Sequence, residues 1–366
     1  MLSHRTLSLA SSSSPLKILY LILVRLTQNL NVSVDAIVND ASAAVLARAY
    51  VSPSTRLAVI LGTGINAAVH LPIASLHPSK FGARVLSSTP APTHVLVNCE
   101  LSMFGRTAYT TTRWDDHLNK HHVLPDYQPL EYLIAGGYMG EIVRLVLLEA
   151  IDTAGLFRGS VPPSLATPYC IDTRALAAIE LDLSPSLTAA AKFWTENFPT
   201  VIPIAVPEIR FVRDVVRLVS RRSLAYFTAS SHALASMLQD TEREHGFTAA
   251  AQAVVASGVD GGSRSRDQDS DQDHISIGCE GSVVNKYPGF IEDAQELMDK
   301  MVGSDAGEGQ NKRVVFERTS DSAVLGAGVA VAMACGGDEG HWCSGKEAGE
   351  GGEEEGGGDV DLDDGR

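Results

Sequence analysis

Between Asp40 and Glu100 the sequence contains no aspartate or glutamate, although the 366-residue chain carries 44 acidic residues in all. Cysteine is sparse: Cys99, Cys170, Cys279, Cys335 and Cys343 are odd in number and contain no Cys-x-x-Cys pair, which argues against a disulfide framework and a zinc site and fits a reducing compartment. No apolar run is long enough to span a bilayer, the longest near the start being Ile18–Val24. There is no Gly-x-Ser-x-Gly elbow of a serine hydrolase. Positive charge is also scarce. The net charge is −15, so a basic nucleic-acid face is excluded, and no nucleic-acid partner is expected.

The acidity is unevenly placed. Residues 337–366 hold 11 acids against Lys346 and Arg366, leaving a net of −6 on the preceding 336 residues. That tail is rich in Gly and Glu and too poor in apolar groups to order itself. The other end is acid-poor: residues 1–30 have Arg5, Lys17, Arg25 and a Ser11–Ser14 run. They read as a mitochondrial presequence, a short signal anchor, or an amphipathic helix over 17–30 behind an unstructured or wrongly assigned start.

What is present in the body is an alternation of strand and helix, with 45% hydrophobic content. A short strand over Ser33–Val38 places Asn39 and Asp40 at its end, and the Ala- and Leu-rich run 41–50 starts a helix directly after them. Leu57–Leu61 is a strand running into Gly62-Thr63-Gly64, and Asn66–Leu71 continues as strand-like sequence. Thr93–Asn98 is a further strand leading to Glu100. One long helix is expected over Leu130–Ile151, whose Gly136-Gly137 pair and Gly140 allow close backbone approach. Helices follow over 171–180, 186–196 and 208–240, the last with Ile209, Val212, Val215, Val216 and Val219 at helical spacing. Residues 258–274 read as a mobile polar insert. Then come strand Ile275–Gly278, the turn Glu280-Gly281-Ser282, a helix over Phe290–Val302, a Gly-rich loop over 303–311, strand Arg313–Glu317 and the small-residue helix Ala323–Ala334. The expected class is α/β with a mixed or parallel sheet.

Gly62-Thr63-Gly64 with Ala67 formally matches a dinucleotide fingerprint. That reading needs a following helix and an acid about 20 residues on, and the acid-free run removes the second requirement. A glycine-dependent hairpin turn and a phosphate-holding loop both remain open. His117, His121 and His122 lie near Asp115 and Asp116, but they read as a solvated loop, and metal binding is set aside.

Asn39-Asp40, LGTGINA (61–67), NCELSMFG (98–105), GGYMGEIVRL (136–145), LVSRRS (218–223), IGCEGSVVNKYPGF (277–290) and DSAVLGAGVAVAM (321–333) occur in the order and approximate spacing of eukaryotic hexokinases of fungal type. The chain resembles that family over roughly residues 28–335. The resemblance implies the actin-like ATPase, ribonuclease-H-like fold, mainly its large domain over 31–320 with the terminal helix at 321–335. It implies a phosphotransferase using MgATP as co-substrate and glucose, fructose or mannose as acceptor, in the cytoplasm or associated with mitochondria. Asp40 then looks like the base, Asn39, Asn98, Glu100 and Glu141 like the sugar ligands, Gly62, Thr63, Gly64 and Asn66 like the second phosphate loop, and Gly281 and Ser282 like the adenosine-side turn.

The chain also departs from the family's pattern. The first phosphate loop, the Ser-Phe-Pro sugar strand and the Thr-Lys pair, expected before Asp40, are not found, so most of the small domain is expected to be missing. Ala41-Ser42-Ala43-Ala44 stands where Thr-Val-Gly-Thr is usual. Ile65 replaces a Thr, Cys99, Leu101 and Ser102 replace Thr, Trp and Gly, and Glu280 replaces an Asp. The expectation is a hexokinase of weak or no activity, or a catalytically silent sugar-sensing regulator.

Overall fold

The computed structural model describes residues 35–52, 54–80, 93–200, 203–245, 274–305 and 313–335. The segment 1–30, the polar insert short of His274 and the acidic tail lie outside these residues. So does most of the Gly-rich 303–311 loop.

Strands β1 (Thr55–Leu61), β2 (Ile65–Pro72), β3 (His94–Asn98), β4 (His274–Glu280) and β5 (Arg313–Arg318) form one sheet in the order β3-β2-β1-β4-β5. β1 pairs antiparallel with β2, and β2 with β3, whereas β1, β4 and β5 run parallel, so the sheet is mixed. Leu61 opposes Ile65, which makes Gly62-Thr63-Gly64 the turn of a hairpin. Its period-2 alternation divides β1 between two faces: Leu57, Val59 and Leu61 enter the larger core, and Ala58 and the partly buried Ile60 enter a smaller one.

The helices are α1 (Asp40–Val51), α2 (Arg113–His121), α3 (Pro129–Ile134), α4 (Gly136–Ala154), α5 (Thr173–Glu180), α6 (Thr188–Asn197), α7 (Val206–His245), α8 (Ser282–Lys286), α9 (Phe290–Asp305) and α10 (Ser322–Cys335). The 40-residue α7 buries Ile209, Val212, Val215, Val216 and Val219 along one stripe, as its spacing predicts. On the opposite face α1 lies on Ala58 and Ala68, and α10 packs on α1. Gly326 permits that contact, since a Cβ there would overlap the Ala43 carbonyl.

Several expectations need correction. The described part of Ser33–Val38 is irregular, because residues 35–38 have no ladder partner in the sheet. Asn39 is the N-cap of α1 in an extended conformation (φ −67°, ψ 148°). The helix expected over Leu130–Ile151 is two helices broken at Ala135 (φ −77°, ψ 151°). His117 and His121 lie on a helix, α2, because Thr112 and Asp115 form a reciprocal capping box at its start. Asp115 is buried and ion-paired with Arg222 at 2.8 Å, so this segment is anchored to α7.

Candidate active site

Asp40 is the first residue of α1. The Ala41 N–H donates both to its Oδ1 (2.8 Å) and to Oδ1 of the capping Asn39 (2.9 Å). The cap fixes the direction of the helix start and leaves the Asp40 side chain exposed at the front of the sheet.

From Asn39 a line of amides crosses the hairpin. Asn66 Nδ2 approaches Asn39 Oδ1 at 3.5 Å and donates to Asn98 Oδ1 at 2.9 Å, while Asn98 Nδ2 donates to Glu100 Oε1 at 2.7 Å. These contacts follow from the register, which places Ala68 opposite Asn98 and so brings Asn66 past the end of β3. Asn66 Oδ1 also accepts from the N–H of Leu101 at 3.2 Å. Glu100 is held in the left-handed region (φ 50°, ψ 48°), unusual for a residue with a Cβ. Such strain at a polar, exposed position is characteristic of functional sites.

On the other side of the turn, Gly62 faces Gly281 and Ser282. Gly281 has φ +119°, and a Cβ there would overlap the Leu61 carbonyl, so only glycine brings this turn against the hairpin. Glu280 precedes it and accepts from the N–H and hydroxyl of Ser322, which joins the start of α10 to the end of β4. Burial raises the Glu280 carboxyl above the ordinary range, and the neighbouring charges of Asp321 and Asp40 push the same way.

The structure brings together Asp40, Asn39, Asn66, Asn98 and Glu100, and separately Gly62 with Gly281 and Ser282. It does not bring Glu141 to them. Glu141 and Arg144 are 5% and 6% exposed, with Nε–Oε2 at 2.7 Å and Nη2–Oε1 at 2.6 Å. The Tyr169 N–H donates to Oε2 at 2.6 Å. Both carboxylate oxygens are occupied, so this residue anchors α4. The i,i+3 spacing to Arg144 was the available signal.

The residue sequence reasoning missed is Glu131. It lies on α3, and its Oε2 accepts from the Ile65 N–H at 3.0 Å, directly over Gly64. Its Oε1 has no hydrogen bond among the described residues. Burial raises its carboxyl above the ordinary glutamate range, against the opposing pull of the Ile65 N–H and His122. A lone acid among Leu130, Tyr132, Leu133 and Ile134, all buried, is the pattern that marks it.

A mixed sheet with a glycine turn at one strand end, a helix-capping Asn-Asp pair and a line of amides and carboxylates make up the candidate site. The sequence profile of the hexokinase family matches residues 56–333, and the chain belongs to that family. It is 26% identical over 308 residues to hexokinase-1 of Schizosaccharomyces pombe, covering 83% of this chain and 54% of that protein. It is 29% identical over 311 residues to hexokinase-1 of Oryza sativa subsp. japonica, covering 83% and 54%. The chain thus spans about half the length of the curated relatives it matches. In fold it is similar to the hexokinase from Schistosoma mansoni complexed with glucose, with a TM-score of 0.68 at 21% identity over 86% of this chain and 62% of that one. The architecture is consistent with the actin-like ATPase fold of such structures. No helix among the described residues is long and apolar enough to cross a membrane.

Proposed function

We propose that the chain binds a hexose, glucose foremost, beside MgATP and transfers the γ-phosphoryl group to the sugar's 6-hydroxyl in the cytoplasm. Asp40 accepts the hydroxyl proton as that oxygen attacks phosphorus and the bond from phosphorus to the ADP oxygen breaks. Asn39, Asn98, Glu100 and Glu131 hold the sugar hydroxyls, carboxylates being suited to this because each accepts several hydrogen bonds. Gly62, Thr63, Gly64 and Asn66 face the phosphates, and Gly281 and Ser282 the adenosine side.

The observation that carries this reading is the hydrogen-bonded line Asn39, Asn66, Asn98, Glu100, which begins beside the base and crosses the hairpin whose turn meets Gly281. The test is direct: purified protein with MgATP and glucose yields sugar-6-phosphate above an Asp40→Ala control, and equal rates in the two would refute it.

A second reading, a silent sugar sensor, is favoured by the buried Ala41 beside Asp40, where the resemblance leads one to expect a hydroxyl. Calorimetric glucose binding without any turnover would select it.

A further inference from the structure

The break at Ala135 has a consequence for the phosphate turn. With α3 and α4 as separate helices, the first amides of α4 are free to donate, and both donate to the hairpin: Gly136 N–H to the Gly62 carbonyl at 2.8 Å and Gly137 N–H to the Thr63 carbonyl at 3.1 Å. Glu131, at the end of the other arm of the same elbow, takes the Ile65 N–H. Three successive loop peptides are therefore gripped from one side.

Peptide planarity then dictates where the remaining donors point. In a trans peptide the N–H lies opposite the carbonyl. Turning the Gly62 and Thr63 carbonyls toward α4 turns the Thr63 and Gly64 N–H groups away from it. Among the described residues neither N–H has an acceptor, while the Gly62 N–H closes the turn on the Gly64 carbonyl at 2.9 Å. Two consecutive outward N–H groups form the concave donor pair that suits a phosphate oxygen.

We propose that Gly136 and Gly137 are positioning residues, which set the direction of the Thr63 and Gly64 amides by holding the carbonyls behind them. This rests on the reading of the turn as a phosphate loop. Glycine is needed at both positions: a Cβ at Gly136 would lie 2.7 Å from the Gly62 carbonyl oxygen, and one at Gly137 2.8 Å from that of Thr63. Either would push the turn off its donors.

The experiment compares full-length wild type with Gly137→Ala, Gly136→Ala and, as a control, Leu147→Ala, a fully buried position further along α4. Hydrogen exchange is followed at residues 62–66 in the unliganded protein, and binding of the Mg complex of adenylyl imidodiphosphate and of glucose is measured by calorimetry. In either glycine variant, exchange of the hydrogen-bonded Gly62 and Ile65 amides within 62–66 is expected to accelerate at least tenfold and nucleotide affinity to fall at least tenfold. Glucose affinity should change by less than threefold, whereas Leu147→Ala, although less stable, should keep the wild-type pattern. Unchanged exchange at 62–66 in Gly137→Ala and Gly136→Ala overturns the clamp, as does an equal loss in the Leu147→Ala control. A wild-type chain that binds no nucleotide overturns the phosphate-loop reading instead, and the exchange data then judge the clamp alone. If one glycine variant fails to fold, the other carries the comparison.

Discussion

On one face of the sheet Leu57, Val59, Leu61, Val69, Ile277 and Phe316 lie under α3, α7 and α9, whereas on the other Ala58 and Ala68 meet α1, which carries α10. The first face uses large side chains buried from every side. The second uses alanines, so that two helices sit close, and it leaves the outside of α10 bare: Val324 is 74% exposed, Leu325 59% and Met333 63%. The same division runs through the acids. Glu141, packed among the helices of the first face, has every oxygen taken, whereas Asp40, at the start of α1, is open. The tightly paired acid thus lies within the larger core, and the open one at the exposed start of a helix on the other face, in keeping with functional groups being drawn from the less constrained parts of a fold.

Substitution at the two acids breaks this comparison most sharply. Asp40→Asn preserves shape and cap but removes the proposed base, so on the proposed reading phosphoryl transfer falls by about 10²–10⁴-fold with the unfolding midpoint nearly unchanged. Product assays beside a denaturant melt check both halves. Glu141→Ala strands the Arg144 guanidinium, 6% exposed, and costs about 3–5 kcal/mol of stability. Glu131→Ala loses one hydrogen bond, to the Ile65 N–H, and costs about 1 kcal/mol while weakening glucose binding. A denaturant titration showing Asp40→Asn as destabilising as Glu141→Ala would erase the distinction between the faces.

How much of this was legible in the sequence depended on whether the signal was local. The strands 57–61 and 275–278, the helix over 208–240 and the close-approach glycines follow from period and residue type. Asn39, Asn66, Asn98 and Glu100 were expected at the site through the resemblance, but their order along a hydrogen-bonded line comes from the pairing of β2 with β3, which no local pattern states. Glu141 was expected among the sugar ligands through the resemblance alone, while the i,i+3 arginine pointed to the ion pair that the structure shows. The break at Ala135 was invisible for a similar reason: nothing in LEYLIAGGYMG forbids one helix. What breaks it is tertiary, the Gly62 and Thr63 carbonyls taking the amides that a continuous helix would have used internally.

A histidine sharpens the comparison by pH. His70 of β2 is held down to about 4 by burial first, then by the charges of Arg56 and His94, whose ring lies 5.2 Å away. Its pKa is lower folded than unfolded, so the unfolded chain takes up the proton first. Stability is full above the unfolded value near 6.5 and falls as pH drops toward 4, by up to about 3 kcal/mol. Unfolding titrations between pH 7 and 4.5 should show this slope, and His70→Gln should flatten it. An unchanged slope in the variant would move the acid sensitivity elsewhere.

The smallest effect is expected on the outside of α10. Its sequence, SAVLGAGVAVAMAC, has no charge, and a helix apolar on all sides is ordinarily buried. Leu325→Gln removes an exposed apolar side chain and substitutes a residue of comparable helix propensity. If that face is solvated, stability changes by less than about 0.5 kcal/mol, and binding of an environment-sensitive apolar dye declines. If the face is covered in solution, the same substitution buries an amide without a partner and costs about 1–3 kcal/mol. The two results differ in size, and only the solvated face has dye binding to lose, so one melt and one fluorescence titration decide whether the outside of α10 is as open as its exposed valine, leucine and methionine indicate.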